Sequence, residues 1–354
     1  MPVYGPARGL LAPLLLALLV ASCAPGRTQA TMLATNARVQ PVPAATVPIR
    51  LGADSLLPLP DGPSAFAAIG RELAGARRSI QLEMYEFQRV DLAQVIVQAA
   101  ARGVAVTTIM DPSERSSRAI WAELQQAGIP VIAFPIEPRT IDHVKLLIVD
   151  GERAIVGGIN WGRQSVANHD FDVLAQGPVV VNLERVFAQD LAIAGRAGTI
   201  PAPAADAAIQ VLVTRPGEAI RNAALAAIDA ARRSIVMEMF DLSDRLVLES
   251  LTAARHRGVA IRVLLEPSQS QNVDARTVLM SAGAQVRFFT PAGGELLHAK
   301  LGIIDGSLVL FGSCNWTRSG FSRNHELDLL VQDTGLARVF LSRADQDWVE
   351  MSGP

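Results

Sequence analysis

A block of this chain is written twice, and no other feature restricts its fold as much. Ala76-Arg77-Arg78-Ser79-Ile80 returns as Ala231-Arg232-Arg233-Ser234-Ile235, and Arg102-Gly103-Val104-Ala105-Val106 as Arg257-Gly258-Val259-Ala260-Ile261, both at an offset of 155 residues. Asp111-Pro112-Ser113 answers to Glu266-Pro267-Ser268 and Ala127-Gly128 to Ala282-Gly283 at the same offset. The match runs ungapped from about Gly62 to Asn160 against Gly217 to Asn315, and one inserted residue then brings Asn168-His169-Asp170 onto Asn324-His325-Glu326. A match of this length cannot come from composition. It means one domain duplicated in tandem.

Each copy alternates strands and helices. In the first, Ser64 to Arg78 reads as an alanine-rich amphipathic helix, Ser79 to Phe87 as a buried strand, Asp91 to Arg102 as a helix and Val104 to Met110 as a strand. Ser116 to Ala127 reads as helix and Ile129 to Phe134 as strand. His143 to Val149 and Ala154 to Gly157 are strands joined by an Asp150-Gly151 turn, which recurs at Asp305-Gly306. Val179 to Ala194 closes the copy as a helix. The alternation implies an α/β fold with sheets covered on both faces. The expected domains are 61–195 and 207–354, joined by a linker at 196–206 that is rich in Gly, Pro and Ala.

The N-terminus reads as a targeting segment. Arg8 precedes an apolar run from Leu10 to Val20 that is broken by Pro13 and too short to span a bilayer. It ends in Val20-Ala21-Ser22-Cys23, which resembles the lipobox of bacterial lipoproteins, so residues 1–23 are expected to be a lipoprotein signal with Cys23 lipidated. An ordinary secretory signal with Cys23 incidental is the alternative. Ala24 after the cysteine resembles outer-membrane sorting, which places the protein in the cell envelope, facing the periplasm where two membranes exist. Residues 24–60, rich in Ala, Pro, Thr and Val, read as a tether. Cys314 is the only other cysteine, so a lipidated Cys23 leaves no disulfide within the chain.

The basic residues are unevenly chosen. Lys and Arg total 32, yet only Lys145 and Lys300 are lysine, and each stands two residues after a histidine. Arginine is a planar fork and lysine a compact point charge, so two positions specifically call for the point charge. The formal net charge of −2 offers no general basic excess for nucleic acid, leaving only a local groove for that purpose.

The full pattern is His143-x-Lys145, four residues, Asp150, six residues, Gly157-Gly158-Ile159-Asn160. It recurs as His298-x-Lys300, four residues, Asp305, six residues, Gly312-Ser313-Cys314-Asn315. His and Lys two apart on a strand share a face, and glycines before each asparagine allow close backbone approach. If the copies face each other, two imidazoles, two ammonium groups and two amides surround one tetrahedral anion, as a phosphodiester requires.

This pattern resembles the HxKxxxxD signature of the phospholipase D superfamily in its two-copy form, across nearly the whole mature chain. The resemblance implies two tandem α/β/α sandwich domains related by a pseudo-two-fold axis, with one active site at their interface. It implies that one histidine forms a phosphohistidine while the other protonates the leaving alkoxide and then activates water or an alcohol. The usual order in the family assigns His143 as nucleophile and His298 as acid/base. Lys145, Lys300, Asn160 and Asn315 would hold the phosphate, with no metal or other cofactor. Asp170 and Glu326 match the family's acidic position, and Asp170 is the shorter of the two. Asp150 and Asp305 belong to the signature, but they begin tight turns and look structural.

Other duplicated residues have plainer readings. His169 and His325 either line the cleft or pack. Glu83 and Glu238, in otherwise apolar strands, need partners if buried. Trp161 and Trp316 bound the pocket or fill the core, and Cys314 reads as a small packed residue. The leading functional expectation is a monomeric phosphodiesterase acting on phospholipid, by hydrolysis or by phosphatidyl transfer. A metal-independent endonuclease of the same superfamily and a solute-binding lipoprotein are the alternatives.

Overall fold

The computed structural model describes residues 47–215 and 217–351. The expected signal segment, Cys23 and most of the expected tether lie outside the described residues.

Eight strands make the first sheet: β1 (Ile49–Leu51), β2 (Asp54–Leu59), β3 (Ser79–Met84), β4 (Ala105–Met110), β5 (Val131–Ala133), β6 (Lys145–Val149), β7 (Arg153–Gly157) and β8 (Asp172–Gln176). Their order is β1-β2-β8-β7-β6-β3-β4-β5, with β3, β4 and β5 parallel and the other pairings antiparallel. The helices are α1 (Gly62–Gly75), α2 (Val90–Ala101), α3 (Arg118–Gln126) and α4 (Pro178–Ile193). The second copy repeats the plan with β9 (Gln210–Val213), β10 (Ser234–Met239), β11 (Ala260–Leu265), β12 (Gln285–Phe288), β13 (Lys300–Ile304), β14 (Leu308–Gly312) and β15 (Leu327–Gln332), in the order β12-β11-β10-β13-β14-β15-β9. Its helices are α5 (Ala219–Ala230), α6 (Arg245–His256), α7 (Gln271–Ser281), α8 (Arg318–Ser322) and α9 (Thr334–Glu350).

Three apolar layers follow from the strand period of two. In β6, Leu147 and Val149 face an outer core shared with Ala65, Ile69 and Leu92 of α1 and α2. Leu146 and Ile148 face inward, into a core that also takes Leu301, Ile303, Phe311 and Leu329 from the second copy. Phe187 of α4 and Phe340 of α9 sit in this shared core, and Phe171 and Phe311 meet the Phe340 ring edge-on. The outer core of the second copy is built from α5, α6, α7 and their sheet, with Ile228, Leu251 and Leu279 fully buried. The two copies thus join through apolar side chains as well as through the polar site above them.

The fold corrects the expected tether. Residues 49–51 and 54–59 are strands, and β2 occupies beside β8 the place that β9 occupies beside β15. The duplication therefore begins earlier than Gly62. Pro58 and Pro60 disguised β2, but an edge region tolerates proline. Strands β8 and β15, which carry the chain back after the acidic positions, were also not anticipated. Residues 196–206 form neither helix nor strand; they are held to α4 by hydrogen bonds of Asn182 with Ala204 and of Arg185 with the Pro201 carbonyl.

Candidate active site

His143 and His298 stand just before β6 and β13, in loops fixed by the Asp-Pro-Ser and Glu-Pro-Ser repeats. The Asp142 N–H donates to Asp111 at 2.6 Å, and the Leu297 N–H to Glu266 at 3.0 Å. Each loop is also zipped to the other copy. His143 N–H donates to the His325 carbonyl and His325 N–H to Ile141; His298 N–H donates to the His169 carbonyl and His169 N–H to Leu296.

This zipping crosses the acids over. His143 Nδ1 lies 2.8 Å from Glu326 Oε2, and His298 Nδ1 lies 2.7 Å from Asp170 Oδ2. Each imidazole takes its carboxylate from the opposite copy, and the shorter Asp170 reaches as well as the glutamate. A carboxylate on Nδ1 keeps the proton there and leaves Nε2 for chemistry. Burial holds both rings neutral: it lowers His143 against the pull of Glu326, and burial with Lys300 beside it takes His298 down to about 4. Glu326 stays below the usual carboxylate range, because His143, Lys145 and Ser313 outweigh its burial.

The lysines are buried at 3% and 2% exposure. Lys145 Nζ donates to the His143 carbonyl at 2.6 Å, and Lys300 Nζ donates to the His298 carbonyl. They lie over the rings of Tyr85 and Phe240 at 5.3 and 5.4 Å. Burial lowers Lys145 to about 7 and Lys300 to about 8, although Glu326 and Asp170 pull the other way. Lys300 Nζ also sits 2.8 and 3.0 Å from the two His298 ring nitrogens. With Nδ1 also 2.7 Å from Asp170, the His298 ring is held between a carboxylate and an ammonium. The corresponding Lys145 contact is to a backbone carbonyl rather than a ring.

Asn160 and Asn315 follow β7 and β14, and among the described residues neither side-chain oxygen has a hydrogen-bond partner. Their turns rest on two carboxylates that sequence reasoning missed. Asp172 accepts from Ile159 N–H at 3.3 Å and Asp328 from Cys314 N–H at 3.0 Å. Burial raises both, Asp328 to about 8. A Cβ on Gly157 or Gly312 would come within 2.2 or 2.3 Å of these carboxylates, which is why glycine stands there. The signal was available, since Asp172 and Asp328 obey the same offset as Asp170 and Glu326.

Asp150 and Asp305, grouped with the catalytic residues at the sequence level, are at the far ends of β6 and β13. Asp150 accepts backbone N–H bonds from Arg77, Arg78 and Ser79, and Asp305 from Arg232, Arg233 and Ser234. Both adopt positive φ, +59° and +52°. They staple the turn before the neighbouring strand. His169 and His325 are not at the reacting centre either: each pairs with a carboxylate, Asp347 at 3.0 Å and Asp190 at 2.9 Å. Trp161 and Trp316 are buried in the outer cores. Cys314 is fully buried, and that burial pushes its thiol up.

The sheet pair and the doubled, acid-keyed imidazole and ammonium set are those of the two-copy phospholipase D superfamily. The chain belongs to the family described as "Cardiolipin synthase, PLD-like domain", whose profile matches it twice, at residues 69–191 and 224–348. It is 27% identical over 335 residues to cardiolipin synthase 2 of Bacillus cereus, covering 83% of this chain and 64% of that one. It is 29% identical over 331 residues to cardiolipin synthase A of Yersinia pseudotuberculosis, covering 80% and 67%. The chain thus spans about two thirds of these relatives' length. Among solved structures, the phosphatidylserine synthase of Haemophilus influenzae Rd KW20 superposes with a TM-score of 0.65 at 12% identity, covering 87% of this chain and 88% of that one.

Proposed function

We propose that the protein is a phosphodiesterase of the phospholipase D type that transfers or hydrolyses phosphatidyl groups. The carrying observation is the pair of crossed imidazole–carboxylate contacts, 2.8 and 2.7 Å, around two buried lysines. The names of the cardiolipin synthase relatives support a phospholipid as substrate.

In this mechanism His143 Nε2 attacks phosphorus while the bond from phosphorus to the leaving oxygen breaks. That oxygen takes the Nε2 proton of His298, which the ring has first gained from water as the substrate binds, the Nδ1 proton staying on the Asp170 side. A second alcohol, or water, then gives its proton to His298 and attacks phosphorus, releasing His143. The order follows the family's usual one, and the two rings do differ: Lys300 Nζ lies 2.8 and 3.0 Å from both His298 ring nitrogens, whereas Lys145 Nζ is held by the His143 carbonyl. An arriving phosphodiester draws Lys300 to its oxygens and raises His298, since a nearby anion favours the imidazolium. Lys145, Lys300, Asn160 and Asn315 balance the charge on the non-bridging oxygens. Lipidation at Cys23 would place this site at an envelope membrane; a Cys23→Ala chain that still fractionates with membranes through an acylated N-terminus would remove that part of the reading.

The test offers the mature protein phosphatidylglycerol, phosphatidylcholine, and single- and double-stranded DNA, with EDTA added at assay time. Cardiolipin plus glycerol, or phosphatidic acid plus free headgroup, is the expected product. DNA cleavage with every lipid untouched would overturn the reading in favour of a nuclease, and binding without turnover of anything would favour a solute-binding protein.

A further inference from the structure

Behind the His143–Glu326 pair lies a second cluster that the proposed mechanism does not use. Glu83 of β3, Asp190 of α4, Asp142 and His325 are all at 0–1% exposure. One ligating atom each from Glu83, Asp190 and His325 fall within 4.8 Å of one another. His325 stacks on Phe134 at 4.8 Å, which fixes its ring. Among the described residues no fixed donor reaches either Glu83 oxygen or one oxygen each of Asp142 and Asp190; Glu83 has the carboxyls of Asp190 and Asp142 for neighbours. Burial, with Asp190 and Asp142 alongside, raises Glu83 far from its usual range. Asp142 rises to about 7 for the same reason, despite His325 beside it.

The second copy shows what is missing. There Glu238, Asp347 and His169 occupy the matching places, and Arg343 joins them. Its Nε donates to Asp347 at 3.0 Å, and its Nη2 lies 3.1 Å from His169 Nε2. Arg343 stands four residues before Asp347; the residue four before Asp190 is the apolar Val186. The acid Asp142 falls where the second copy has Leu297. One copy therefore has two acids, a histidine and a guanidinium, and the other has three acids and a histidine. Among the described residues, no arginine or lysine forms an ion pair with Glu83, Asp142 or Asp190; Lys145 reaches Asp142 only as a neighbouring charge. A cavity of about 230 Å³ leads to Asp190 and His325 past the exposed Ile193 and Ile200 and beside Arg215.

We propose that Glu83, Asp190 and His325 bind one divalent transition-metal ion, zinc or manganese, which does in the first copy what Arg343 does in the second. Two carboxylates and an imidazole are an ordinary donor set for these ions. The ion is structural. It ties β3 and α4 of one copy to the residue preceding Glu326 in the other, next to Asp142, which precedes His143. The ion's ligands are distinct from the phosphate clamp, so this proposal stands or falls apart from the functional reading.

The full chain, stripped by dialysis against a chelator, is titrated separately with ZnCl2 and MnCl2 by calorimetry, with bound metal counted by mass spectrometry. One ion per chain is expected, together with a rise in melting temperature. Binding should weaken at least tenfold in Glu83→Gln and His325→Gln. It should persist in Glu238→Gln and in the His143→Ala, His298→Ala double variant, which excludes capture by the reacting imidazoles. Val186→Arg supplies the missing guanidinium and should fold, bind no ion and melt at the same temperature with or without metal. If the wild type takes up no ion, or if Glu83→Gln binds as the wild type does, the proposal is wrong. A wild type that binds nothing beside a Glu83→Gln chain of unchanged melting temperature would mean that the acids simply share protons.

Discussion

Glu326, which backs His143, also accepts from Ser313 Oγ at 2.6 Å and Asn324 Nδ2 at 3.0 Å. Asp170, which backs His298, has a second oxygen with no hydrogen-bond partner among the described residues. The position of Ser313 is Gly158 in the first copy, where a Cβ would lie 2.2 Å from Asp170 Oδ1. The longer acid has room for a hydroxyl brace, and the shorter acid sits against the backbone instead. Two copies with one chain path have thus come to hold their imidazoles differently. A mechanism that asks one histidine to be a nucleophile and the other a proton shuttle needs such a difference.

The largest expected effects test that division. His143→Ala and His298→Ala should each lower turnover of phospholipid by about 10⁴-fold or more. A p-nitrophenyl phosphodiester, whose leaving group needs no proton, should restore much of the loss in His298→Ala and none in His143→Ala. Rescue of the other variant would exchange the two roles. Next come the backing acids: Glu326→Gln and Asp170→Asn should each cost between about 10² and 10⁴ in kcat, because the ring loses the group that fixes its tautomer. Equal losses with identical pH profiles would make the two copies functionally alike.

The lysines rank third. Lys145→Arg and Lys300→Arg should each lower kcat by about 10²-fold, since a planar fork cannot take the place of a point charge in a closed clamp. Normal turnover in both would break the clamp. A stability measurement sharpens this. Burial lowers the native lysines to about 7 and about 8, against the ordinary 10.5. Below those values both states are charged and the cost of burying the charge is full; between them and 10.5 the unfolded chain holds protons that the native chain has released, so the cost fades as pH rises. Lys300→Met should therefore melt above wild type at about pH 7, with the advantage shrinking toward about pH 10. The smallest effect belongs to the brace: Ser313→Ala removes one hydrogen bond to a charged acid and should slow turnover about tenfold or less. It should leave a His298→Ala background slowed by the same factor, and a neutral result would mean that Glu326 holds His143 unaided.

Much of this was legible before any coordinates. The repeat announced two α/β units, and the doubled His, Lys and Asn announced one clamp. Which acid serves which histidine was not legible, because spacing within a copy is silent about docking between copies. Glu83 could be read as buried and in need of company, but Asp190 sits on a helix far along the chain and His325 in the other copy. Strand β2 was lost to its prolines, although Gln210 to Val213 preserved its echo. Asp150 and Asp305 looked catalytic by membership of the signature and structural by their turn position, and the turn position was the better guide.

The exchange of acids has a consequence for what counts as a subunit. Neither copy owns a complete site, and each completes the other by the same contact read in both directions. That reciprocity is the geometry of a symmetric dimer. In the fused chain, residues 196–206 serve to keep the two partners at high local concentration. Two polypeptides divided within that stretch should be inert apart and active when mixed. A lesion in one fragment would then be felt at the histidine of its mate.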